Sequence, residues 1–239
     1  MGDEKSGRSP GGSGSNGSGD DTFLNGVPER DTLVDRPHLN EESDDMSPTD
    51  PPPPEPELEP MPANVAELCA ACVRFVASKY GVPLDFSPDT LSLLDQYIRD
   101  ARPEVAQKPE SLDLLQAALG AYLGEVIRRV HHGIWDTDGE YEAWRVLMTR
   151  VYLAFNPIGM VREALLGEQA PGWNAHLETD AGERDALDER LAILPEVEED
   201  EFFAPTTRFD VVEIAVDALA AHMRQSGLGD VRFSRDDYE

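Results

Sequence analysis

Several groups of residues in this 239-residue chain have types and spacings that could do chemistry. Cys69-Ala70-Ala71-Cys72 has the CxxC spacing of a thiol redox pair or of half a zinc site. A redox pair works best where a helix N-terminus following a strand favours the thiolate. Here the pair falls inside a helix predicted to open near residue 63. Zinc would need two more good ligands, and there are no other cysteines. Both thiols are therefore read as small core residues. Asp136-Thr137-Asp138-Gly139-Glu140-Tyr141-Glu142 invites a calcium loop. Aligning its Asp-x-Asp-Gly with such a loop puts Ile134 and Arg145 at positions that require carboxylates, so the match fails and a solvated turn remains. No metal or other cofactor is expected.

Glu125 is the best single polar candidate. It follows Gly124 and has Arg128 and Arg129 at i+3 and i+4, the spacing of an ordinary helix ion pair. The favoured reading is structural, a half-buried pair of Glu125 with an arginine such as Arg129, orienting the next segment with Trp135. The alternative is an enzyme of unknown class, in which Glu125 and His131 or His132 move protons near Trp135. The two histidines are adjacent, point different ways on a helix and lack HExxH spacing, so they read as caps favoured by the helix dipole. Phosphate-loop and GxSxG patterns are absent.

These residues need elements to hold them. Apolar spacing predicts a helix over 63–80 stopped by Gly81, and a second that opens after Ser87-Pro88-Asp89 and ends before Pro103. The most strongly patterned helix is 110–131, with Leu112, Leu115, Leu119, Tyr122, Val126 and Val130 in one stripe. Gly120 and Gly124 each cost it roughly 1 kcal/mol relative to alanine, which predicts that another backbone packs closely there. Gly133-Ile134-Trp135 and residues 140–154 read as a hairpin across the Asp138-Gly139 turn. Helices are expected at 158–166, about 179–193 and 207–225. The class is α+β: several amphipathic helices packed around a small antiparallel sheet, preceded by a long disordered N-terminal tail. The expected organisation is a Gly/Ser- and Pro-rich acidic tail over 1–60, a single α+β domain over 61–226 and a loose end over 227–239.

The order Leu84-Asp85-Phe86-Ser87, Ala121-Tyr122-Leu123-Gly124-Glu125, Trp135 and Asn156-Pro157 resembles a group of uncharacterised bacterial domains of unknown function. The resemblance covers about 80–165, with Thr90 and His131-His132-Gly133 departing from the pattern. It implies a mixed domain in a bacterial cytoplasm and no particular reaction.

Charge narrows the task. The chain carries 48 Asp+Glu against 20 Lys+Arg, a net charge of −28. That excludes affinity built on neutralising phosphates and attraction to anionic membranes, so neither nucleic acid nor membrane is expected as a partner. The charge is uneven: −11 over 1–60, −9 over 178–201 and −8 elsewhere. Within the second stretch, Glu196, Glu198, Glu199, Asp200, Glu201, Phe202 and Phe203 join carboxylates to aromatics and are the candidate binding residues. The expected function is a non-enzymatic cytoplasmic protein-interaction domain, an adaptor, assembly factor or immunity-type inhibitor, that docks a basic protein partner.

Overall fold

A computed structural model describes residues 58–194 and 197–239. All but the last three residues of the expected tail lie outside the described residues. Glu59, one of those three, accepts a hydrogen bond at its carbonyl from Arg128 Nη1 (2.9 Å), so the described fold begins before residue 61.

Helix α1 (Ala63–Tyr80) buries Val65, Cys69, Cys72 and Val76, one i/i+3/i+4 stripe. Gly81 ends it at φ +71°, a left-handed cap that glycine adopts without a Cβ penalty. Helix α2 (Leu91–Gln107) follows a short 3-10 turn over Pro88–Thr90, and Ser87 makes no side-chain capping bond there. Contrary to expectation, α2 runs through Pro103. Proline removes one backbone donor, but Ala101 and Val105 on either side are both buried, and that burial holds the turn in place.

Helix α3 (Leu112–His131) is the central element, with fourteen of its residues buried: Leu112 and the unbroken stretch from Gln116 to Arg128. It packs against α1 and, more closely, against α4 (Pro157–Leu166). The close backbone approach expected at the glycines is present at Gly120, whereas at Gly124 the close neighbours are side chains. A Cβ on Gly120 would stand 2.5 Å from the Ile158 backbone, and one on Gly124 would overlap the Trp135 ring and Pro157.

The sheet is antiparallel in the order β1-β2-β3-β4, formed by Gly133–Asp136, Arg145–Met148, Leu153–Phe155 and Glu178–Thr179. Its register aligns Trp135, Val146 and Phe155 on the face that joins the main core. Ile134, Leu147 and Ala154 align on the other face. The expected tight hairpin is not formed. Eight residues, 137–144, link β1 to β2, because Trp144 is buried beside Trp135 and its indole donates to the Gly139 carbonyl (3.2 Å). Asn156 fixes the same loop by donating to the carbonyls of Tyr141 (2.8 Å) and Glu142 (3.0 Å). Its Oδ1 meanwhile accepts from Gly159 N and caps α4. The single strand expected over 140–154 is thus two strands joined by a turn.

The helix expected over 179–193 is shortened to α5 (Arg184–Leu191), since Thr179 pairs with Leu153 as β4. A four-residue α6 (Glu199–Phe202) leads into α7 (Pro205–Gln225), against which α5 packs. The C-terminal end expected to be loose is fastened to the sheet. Tyr238 is buried, donates to Met148 O (2.7 Å), accepts from Leu153 N (3.0 Å) and stacks on Tyr152 at 4.4 Å. It covers Leu147 and Ala154, the small apolar face that the helices leave open. No helix of the described residues is long and apolar enough to cross a membrane.

Candidate functional site

The structure brings together Glu125, Arg128, Arg129 and Trp135. Arg128 donates through Nε to Glu125 Oε2 (2.8 Å) and through Nη2 to Oε1 (2.9 Å), a bidentate pair. Arg129 Nε donates to Oε1 (2.7 Å), and the Trp135 indole donates to Oε2 (3.1 Å). Glu125 has no exposed surface, and Arg128 is 3% exposed. Burial works against ionisation of Glu125, but the hydrogen bonds from Arg128, Arg129 and Trp135 outweigh it and hold the carboxyl below its usual range. Both carboxylate oxygens are engaged and neither is accessible, so Glu125 cannot reach a substrate proton. The Glu125–Arg129 pair is half-buried as expected, with Arg129 39% exposed, whereas the Glu125–Arg128 pair is fully buried, because β1 and residue 59 close over it.

Arg129 also lies over the Phe86 ring (4.1 Å), which stacks on Tyr122 (4.9 Å). Phe86 has φ +65°, a left-handed conformation uncommon for an aromatic residue, and its N–H donates to Tyr122 Oη (2.8 Å). The loop after α1 is therefore clasped onto α3 beside Glu125.

The remaining candidates separate from this cluster. His131 packs against Phe209 of α7, and burial holds its pKa below the usual value. His132 caps α3 in the left-handed conformation at φ +58°. Cys69 and Cys72 are buried in α1. Burial pushes the Cys69 thiol up to about 12, with the Glu125 charge adding to it, and raises Cys72 well above its ordinary value. Neither is a ready thiolate. Asp136 is paired to Arg145 across the strands (3.0 Å). Among the described residues, no three His, Cys, Asp or Glu side chains are grouped to hold a metal ion.

The acidic stretch divides. Glu196 and the side chains of Glu199 and Asp200 lie outside the described residues. Glu198 and Glu201 are exposed. Phe202 is 45% exposed, whereas Phe203 is 6% exposed and belongs to the core, which corrects its reading as a partner contact. The cause is Arg208, whose guanidinium lies over both rings at 4.8 and 5.5 Å while Nη2 donates to the buried Glu163 (2.7 Å). Asp95, also buried, supplies the cap that Ala204 cannot. It accepts from Thr206 N (3.1 Å) and Oγ1 (2.6 Å) at the start of α7. Burial raises the Asp95 pKa against the opposing effect of these two bonds. Neither Asp95 nor the Glu163–Arg208 pair was anticipated. The available signal was an acid at position 95, inside the apolar stripe of Leu91, Leu94 and Ile98.

Upstream, Asp185, Asp188 and Glu189 of α5 are exposed, as are Asp210, Glu213 and Asp217 of α7. A groove of about 400 Å³ runs between the two helices. On α5 it is lined by Ala186, Glu189 and Arg190, and on α7 by Asp217, Ala218, Ala221, His222 and Gln225.

The model of a family of unknown function, DUF6278, matches residues 35–149. That span includes α1 to β2 with the whole Glu125 cluster, and it stops before α4, α5 and α7. No curated protein and no solved structure matches the chain.

Proposed function

We propose that this chain, carrying an uncharacterised domain of that family, is a non-enzymatic interaction module of the cytoplasm. It would dock a basic protein partner through the acidic surface of residues 178–201, as an adaptor, assembly factor or immunity-type inhibitor. The observation that carries this reading is the unequal use of charge. Arg128, Arg129 and Arg208 are bound by carboxylates of the interior, and Arg102, Arg184 and Arg235 donate to backbone carbonyls. Six of the sixteen lysines and arginines among the described residues are thereby tied into the scaffold. The carboxylates of Asp185, Asp188, Glu189, Glu198 and Glu201 form no ion pair among the described residues and are exposed. Such a predominantly negative surface, in which Arg190 is the exposed cation, steers oppositely charged proteins, raising association rates by roughly 10- to 1000-fold, and repels nucleic acid.

A pull-down with the full chain over a salt series tests this. Capture of a basic protein should fall steeply between about 0.1 M and 1 M salt, as the Debye length shortens from about 10 Å to about 3 Å. Capture indifferent to ionic strength would contradict the electrostatic basis.

A further inference from the structure

The groove between α5 and α7 has an apolar floor of small side chains, Ala186 from one helix and Ala218 and Ala221 from the other. Small residues let a further helix approach to the interaxial distance of about 8–10 Å at which helices pack. From Asp217 to Gln225 the α7 side of the groove rises about 12 Å, enough for more than two turns of such a helix. The walls carry Glu189 and Asp217. Ile193, four residues beyond Glu189, is 71% exposed and is the most exposed large apolar side chain in the described fold.

Glu189 and Asp217 beside the alanines complement a helix whose apolar face is flanked by cations, while His222, the other titratable side chain of the α7 wall, lies 3.7 Å from Glu183. The net charge of −28 argues against a second copy of this chain as the occupant. Arg190 also lines the groove. It would repel a cation set at the wrong height, so it restricts which register a basic helix can take.

We propose that the α5–α7 groove seats one amphipathic helix of a partner protein, at least two turns long, with lysines or arginines set against Glu189 and Asp217. This rests on the acidic-surface reading and adds to it the place, the secondary structure and the register of the partner.

The test uses the full chain and a fluorescein-labelled 18-residue helical peptide of leucine and lysine, with a proline-interrupted peptide of the same charge as control. Binding is read by anisotropy and located by amide shifts in NMR spectra. Two kinds of variant separate shape from charge. Ala221→Leu fills the floor and keeps every charge, and Ala186→Leu does the same from α5 should the first not fold. Glu189→Gln with Asp217→Asn removes charge and keeps the shape. The expected result is that the helical peptide shifts amides of α5 and α7, and that filling and neutralising each weaken it by about 10-fold. Equal binding of both peptides, or full affinity in the filled variants alongside loss in the neutralised one, would overturn the groove while leaving the broader acidic-surface reading standing. Failure of both peptides to bind at low salt would count against both.

Discussion

Glu125 on α3 and Glu189 on α5 are the same residue type on helices of one fold, and their surroundings differ in every respect. Glu125 is fully buried and receives four hydrogen bonds from two arginines and a tryptophan. Glu189 is exposed, lines a groove and forms no ion pair among the described residues. The difference follows from solvation. A buried carboxylate is tolerated only when matched, since an uncompensated charge in the interior costs several kcal/mol. A hydrated one carries no such penalty and keeps its field available to another molecule. The family match covers the first and not the second. Carboxylates here therefore hold the scaffold in one region and, on the proposed reading, present a recognition surface in the other.

The contrast can be broken most sharply at Glu125. Glu125→Ala would leave Arg128 buried without its partner and should cost about 3–5 kcal/mol in urea denaturation. A loss below about 1 kcal/mol would mean that the cluster is not the scaffold's anchor. The same group sets an acid limit. Because its folded pKa lies below the ordinary glutamate value, its stabilisation is present above that value and disappears as pH falls through the folded one. Wild type should accordingly lose stability at acid pH over a range in which Glu125→Gln, already destabilised, shows a flatter profile.

Gly124→Ala would press a methyl group into Trp135 and Pro157 and should cost about 1–3 kcal/mol, despite alanine's better helix propensity. Thermal melts of this variant beside Gly81→Ala, which has no neighbour within 4 Å and pays only for its left-handed backbone, would separate packing from conformation. Asp95→Ala removes the cap on α7 and should cost about 1 kcal/mol, while Asp95→Asn, which keeps an acceptor for Thr206 N, should cost less. At the small end, neutralising Asp185, Asp188 and Glu189 together to amides should change stability by no more than about 0.5 kcal/mol per site. A large effect there would make the acidic face part of the scaffold and erase the contrast.

Much of this architecture is legible locally. The stripe of α3 and the spacing of Gly120 and Gly124 foretell a buried helix with a close neighbour, because helical periodicity and missing Cβ atoms act through adjacent turns. The Glu125–arginine pair is legible for the same reason, whereas its depth is not, since Trp135 and Glu59 reach it from outside the helix. The Asp138-Gly139 signal misleads because a dipeptide cannot report that Trp144 will be buried or that Asn156 will hold the loop from beyond β3. Phe203 hides among carboxylates until Arg208, five residues on, is seen to stack on it. The acidic face is visible as composition, but the groove is not. It requires α7 to lie beside α5, a pairing made by tertiary packing between segments that no local pattern connects.

The division of labour between the two regions is tested most directly by measuring partner capture per folded molecule for two variants beside wild type, with the folded fraction fixed by circular dichroism. The triple variant Asp185→Asn, Asp188→Asn, Glu189→Gln should keep wild-type stability and lose most of its capture of a basic protein. Glu125→Gln should lose stability and capture normally per folded molecule. Undiminished capture by the triple variant, with specific loss in folded Glu125→Gln, would contradict the account and move recognition to the buried cluster.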